Sequence, residues 1–214
     1  MHSNYYYISV RRFVKRVRRK KMKVKQKQSR RRLEILEAAI PLIVQRSFEE
    51  ISVSEICQAI GISIGSFYHY FSKKDDLLVG LLWIIDGDME ENTFPLLTHE
   101  NEIENLKLFA HGWAEHVSSH GIERSKLLTS INPDSTDLPE RERPAIRKIR
   151  ALIAAGQEKG QITREYDVDK LTELFLTTLR GITLDWSRRD GSYPLLERMD
   201  RDVEILLRAF PPSP

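Results

Sequence analysis

Apolar residues recur at helical spacing along most of the chain. Leu33, Leu36, Ile40 and Ile43 follow one another at intervals of 3, 4 and 3 residues, marking one face of a first helix over 30–46. Pro41 lies inside that stretch; an interior proline removes the bond to the Glu37 carbonyl and costs ~3 kcal/mol, so a local kink is expected. Two very short helices and a long one follow, at 53–60, 64–70 and 74–91. Each opens on a cap: Ser52 with Glu55 forms a capping-box pattern, Ser63 with Ser66 a second start, and Ser72 with Asp75 a third. Further helices are predicted at 101–120, where Asn101 and Glu104 form the box, and at 122–130, 139–159, 167–190 and 194–210. No strand-like alternation of useful length occurs, so the expected fold class is all-α.

Composition narrows this to a soluble, globular chain. Its 214 residues bury a real core, charged residues make up 30%, and no apolar run approaches the roughly 20 residues a bilayer span needs. The N-terminus lacks the apolar stretch of a secretory signal, and the single cysteine, Cys57, rules out an internal disulfide or a multi-cysteine metal site. Both features suit the cytoplasm.

The net charge of +3 hides an uneven distribution. Of 34 Lys and Arg residues, 14 lie in the first 32 positions and no acid precedes Glu34; the remainder holds 34 − 14 = 20 basic against 31 acidic residues, a net of −11. A basic arm on an acidic body calls for a polyanionic partner, either nucleic acid or an anionic membrane surface. Residues 1–28 have no sustained periodicity and read as a disordered basic arm, whose Tyr5, Tyr6, Tyr7, Phe13 and Val17 also suit a lipid surface. Met22 offers an internal start that leaves MKVKQKQSRRR ahead of the first helix, so residues 1–21 are either an over-extended gene start or a genuine arm.

The segment SVSEICQAIGISIGSFYHYF has the organisation of a helix-turn-helix. Gly61 supplies the turn, Cys57 the small residue four positions earlier, and Ile56, Ile60, Ile62 and Phe67 an apolar seam between the helices. An ordinary αα-hairpin has the same pattern and is the alternative, though the segment by itself favours DNA binding.

The wider segment from Arg31 to Leu78 resembles the DNA-binding domain of the TetR (tetracycline-repressor-like) family. It runs ILEAAIPLI, then SFEEISVSEICQAIGISIGSFYHYFSKKDDLL, with Gly65, Ser66, Phe67, Tyr68, Tyr70, Phe71, Lys74, Asp75 and Leu77 filling the family's characteristic ending. Two positions depart from it: Ser47 replaces a usual glycine, and Ile64 stands where a Lys or Arg commonly opens the recognition helix. The resemblance implies a domain at 29–75 that binds a double-stranded DNA operator, and a ligand-sensing and dimerisation domain at 76–214. It implies that Ser63, Ile64, Gly65, Ser66, Tyr68 and His69 lie nearest the base edges in the major groove. Ser52, Tyr70 and Lys74 would contact phosphate, with Arg30, Arg31 and Arg32 adding charge ahead of the first helix. Phe67 and Phe71 read as core.

The body offers fewer signals. Leu196, Met199, Val203, Leu206 and Phe210 form one stripe, and Leu171, Leu174, Ile182 and Trp186 another; two antiparallel helices so marked are expected to pair with their copies in a homodimer, the alternative being burial within one chain. Trp83, Phe94, Phe109, Trp113, His116 and Leu127 are the candidates for lining a pocket for an unidentified small-molecule inducer. His116 and His120 share a helix face but have no identifiable third metal ligand, so no metal and no cofactor are expected. No nucleophile with its base, and no phosphate loop, points to an enzyme. The expectation is a ligand-responsive regulator, most simply a repressor; the rival is a membrane-surface protein using the basic arm.

Overall fold

The computed structural model describes residues 31–211 apart from 33, 37, 44–47, 49 and 130–139, and omits the side chains of 81, 83, 84 and 140. Every regular element among the described residues is helical. The chain divides after Lys74 into two compact units.

In the first unit the described positions of 31–43 form α1, which stays helical on both sides of Pro41. Then come α2 (Val53–Ile60) and α3 (Ile64–Tyr70). Ile35, Leu36, Ala39, Ile43, Ile56, Phe67 and Phe71 are buried, giving this small unit its own apolar centre.

The second unit contains α4 (Asp76–Asp88), α5 (Glu102–Ser119), α6 (Ile122–Thr129), α7 (Pro144–Glu158), α8 (Val168–Arg188) and α9 (Leu195–Leu207). α5 runs through the middle, packed against α7, α8 and α9, while α8 also packs on α6, α7 and α9. Phe109, Phe175, Leu106, Leu179, Met199 and Phe210 are essentially inaccessible and form the centre of this core. Burying one such side chain is worth roughly 1.5–3 kcal/mol, which is what holds these amphipathic helices together.

Three helix starts differ from the sequence reading. α4 begins at Asp76, after the expected start at 74, and the Asp75 side chain makes no cap bond. At α5 the Asn101 side chain accepts from Ile103 N, while Glu104 turns to Lys107 instead of closing a box. α7 starts at Pro144, a residue whose fixed φ and missing N–H suit the first helical position, and the stretch before it is a short 3₁₀ turn, Glu140–Glu142. α4 also stops short: a π turn, Met89–Thr93, and a 3₁₀ turn, Phe94–Leu96, continue it. Here Thr93 presses on α5, where a Cβ on Gly112 would fall 2.4 Å from Thr93 Oγ1. Only glycine fits that approach.

Candidate nucleic-acid interface and effector cavity

Local hydrogen bonds set the geometry of α2 and α3. Ser52 N donates to Glu55 Oε2 at 2.8 Å and Glu55 N donates back to Ser52 Oγ at 3.2 Å, a complete capping box. Gly61 closes α2 at φ 71°, where an L side chain is strained, and its N–H and that of Ile62 both donate to the Cys57 carbonyl. Ser63 then caps α3, its Oγ accepting from Ser66 N at 3.0 Å. Cys57 is buried, and burial pushes its thiol pKa up, as suits a packing residue.

This arrangement sorts α3 into two faces. Phe67 is fully buried, with its ring 5.1 Å from that of Phe71. Ile64, Gly65, Ser66, Tyr68 and His69 are all exposed, and Tyr70 is half-buried with its ring edge-on to His69. Ile56 is buried while Ile60 and Ile62 are half-buried, so the seam between the helices rests mainly on Ile56 and Phe67.

The basic residues assigned to phosphate divide. Lys74 Nζ donates to the carbonyls of Phe48, at 2.5 Å, and Ile51, at 2.9 Å, and sits 4.4 Å from the centre of the Phe48 ring. That geometry makes Lys74 a brace for the segment entering α2, a role the sequence reading missed. The Arg32 guanidinium lies 5.0 Å above the Phe71 ring, and exposed Arg31 pairs with Glu34 one turn on. Arg30 and the basic arm lie outside the described residues.

The second unit contains a cavity of about 140 Å³. Leu82 and Ile85 of α4, Trp113 and Val117 of α5, Leu128 of α6 and Leu184 of α8 give it apolar walls. Its polar groups are Thr129, Thr183, Arg143 and Arg180. Arg180 also borders a larger, open groove between α7 and α8 that carries Arg141, Arg147 and Arg150.

Of the six predicted pocket residues, Trp113 lines this cavity, donating through Nε1 to Thr183 Oγ1 at 3.3 Å. Phe109 is instead fully buried between Phe94 and Phe175, with ring centres 6.1 and 6.4 Å away, and so belongs to the core. Phe94 is half-buried in that stack, and it is Leu128, the residue after Leu127, that faces the cavity. The Trp83 side chain lies outside the described residues.

His116 is likewise packed away, its Nδ1 2.7 Å from Asp88 Oδ2 and its side chain 1% exposed. Burial pushes its pKa below the usual range, against the opposing pull of Asp88. Its ring lies 4.3 Å from that of His120, and among the described residues no three ligands gather as a metal site requires.

The stripes expected to form a dimer interface lie mostly against the core of their own chain. Met199, Val203 and Phe210 are at most 1% exposed, and Leu171, Ile182 and Trp186 are buried too. Leu196 and Leu206 are half-buried against the same core. Within one chain α8 and α9 pack their apolar faces on each other and on α5. Leu174, 47% exposed, is the exception, and α9 presents Ile205 at 58%.

A capped pair of short helices with an exposed face on the second, followed by a separate all-helical unit, has the organisation of a helix-turn-helix protein. Residues 35–81 match the family model for bacterial regulatory proteins, tetR family. Curated relatives include the transcriptional regulator AcuR of Cereibacter sphaeroides, 26% identical over 70% of this chain and 73% of that protein. The HTH-type transcriptional repressor KstR2 of Rhodococcus jostii is 28% identical over 77% of this chain and 83% of its own length. The transcriptional regulator FadR from Bacillus subtilis, solved in complex with stearoyl-CoA, shares the fold with a TM-score of 0.67 at 20% identity, over 83% of this chain and 98% of that one. Residues 35–81 are thus a TetR-type DNA-binding segment, the chain is similar to TetR-family regulators over most of its length, and it is a DNA-binding transcriptional regulator. No described helix is long and apolar enough to cross a membrane.

Proposed function

We propose that the protein is a dimeric repressor that holds a palindromic operator through α3 of each chain and releases it when a compact amphipathic effector fills the cavity of the second unit. The observation that carries the DNA-binding part is the division of α3 into a buried Phe67 and an outward face of Ile64, Gly65, Ser66, Tyr68 and His69. Gly65 lets the backbone approach the duplex closely, Ile64 suits a thymine methyl, and Ser52 and Tyr70 suit phosphate. A short recognition helix reads few base pairs, so two copies on two half-sites supply specificity. Leu174 and Ile205, exposed on α8 and α9, are the residues through which we expect the copies to meet.

The relatives' names support repression, and the stearoyl-CoA bound by the Bacillus subtilis structure supports an effector with an apolar part and a polar head. The cavity sets the scale. At about 140 Å³ it is far below the roughly 300–1,000 Å³ of drug-sized sites, so what enters without repacking is about the size of benzene.

The test is selection of duplexes from random DNA by the full chain, with sedimentation of the complex. The expected result is two inverted half-sites about one helical turn apart, ~34 Å, bound by two chains. Enrichment of no sequence, or of a lone half-site held by one chain, sinks the proposal.

A further inference from the structure

Arg143, in the wall of the cavity, is one half of a buried ion pair with Asp86. Arg143 donates to Asp86 through Nε at 3.0 Å and Nη2 at 2.9 Å, and Nη2 also reaches the Leu82 carbonyl at 3.4 Å. The side chains are 5% and 2% exposed. Asp86 belongs to α4 and Arg143 is the N-cap of α7, so the pair fastens one helix to the start of the other. Such a pair is a poor source of stability, because desolvating two ions offsets most of their attraction, yet removing one member strands a charge. A contact with those properties is suited to exchange.

The Nε and Nη2 edge of Arg143 is a fork matched to a carboxylate. A carboxylate entering the cavity offers the same two oxygens that Asp86 now supplies. We infer that an effector carboxylate replaces Asp86 on Arg143 and thereby unfastens α4 from α7, an inference that rests on reading the cavity as the effector site. The displaced Asp86 carboxylate cannot stay unpaired in a nearly dry wall, so α4 must shift to bring it to water or to another cation. A neutral ligand of the same shape makes no such demand: it can accept from Nη1, which the Asp86 contact does not use, and α4 stays fastened. Effector charge is thereby coupled to the position of α4, whose first residue follows Lys74 by two positions.

Benzoate and benzamide are matched probes, since a cavity of about 150 Å³ holds one benzene and the two differ only in the charge of the head. Calorimetry on the full chain measures their binding, and titration of the selected duplex measures their effect on operator affinity. In the natural chain both probes bind; saturating benzoate weakens operator binding about tenfold, whereas benzamide changes it less than about twofold. In Asp86→Asn, where no carboxylate competes, benzoate binds about tenfold tighter and its effect on the operator falls below about twofold, while Asp86→Glu retains the response. Should the single variant fail to fold, the pair Asp86→Asn and Arg143→Gln strands no charge, and it is expected to keep benzamide and lose benzoate. Equal operator responses to the two probes, or an Asp86→Asn response equal to that of the natural chain, overturn the exchange and leave the cavity reading standing. Failure of both probes to bind overturns both.

Discussion

Phe67 and Tyr68 are consecutive residues of α3 with opposite surroundings: Phe67 is fully buried, Tyr68 is 53% exposed, and their rings meet edge-on with centres 5.4 Å apart. Neighbours on a helix point about 100° apart, so one face of α3 anchors the unit while the other is left for DNA. Tyr68→Ala is expected to weaken operator binding at least about fivefold, the low end of one specific contact, with stability changed by under about 0.5 kcal/mol. Phe67→Ala is expected to cost roughly 3–5 kcal/mol in urea unfolding. Equal stability losses in the two variants would refute this division of labour.

Lys74 separates bracing from phosphate binding. Because its ammonium is bonded to the carbonyls of Phe48 and Ile51, Lys74→Met removes two charge-assisted bonds while keeping an apolar stem near the Phe48 ring. The expected loss is about 1–3 kcal/mol of stability. A pure phosphate contact predicts the reverse: unchanged unfolding, and a log-log salt slope of operator binding shallower by about 0.9. Unfolding curves and salt titrations of the one variant decide between them.

What was legible in the sequence was local. The capping box at Ser52, the cap at Ser63 and the αL turn at Gly61 each involve residues within a few positions, so type and spacing specify them. The Asp86–Arg143 pair spans 57 positions, and no local pattern encodes it. Its one trace is that Asp86 ends the uncharged run Leu77 to Ile85, a position where a carboxylate needs a partner. The stripe of Met199, Val203 and Phe210 shows another limit: periodicity tells which face of a helix is covered, not whether its own chain or a second one covers it. The π turn at Met89–Thr93 carries Thr93 onto Gly112, again a contact between distant segments.

Burial also separates dimer residues from core residues. Met199 is inaccessible in one chain, so Met199→Ala is expected to cost roughly 2–5 kcal/mol of stability. Ile205, exposed at 58%, should tolerate Glu without loss of folding, while Ile205→Glu combined with Leu174→Glu drives the protein to single chains and reduces operator affinity. Sedimentation of the double variant as an unchanged dimer would place the interface elsewhere.

His116 gives the second unit a pH dependence whose sign follows from burial. Desolvation lowers its folded pKa below the ordinary value of 6.5, and His120 and Arg124 add to this by like-charge repulsion, while the bond to Asp88 acts the other way without reversing the shift. A base with a depressed folded pKa binds fewer protons folded than unfolded, so this contribution to stability is complete above the unfolded pKa. It is lost as pH falls from about 6.5 toward the folded value, and it levels off below that. His116→Gln carries no titrating ring, so its Tm should fall less steeply over the same interval. Because Asp88 also accepts from Asn92 Nδ2, the carboxylate keeps one partner when the imidazole is replaced. Thermal unfolding of both proteins at matched ionic strength provides the measurement; parallel Tm curves across the interval would assign the acid sensitivity to groups other than His116.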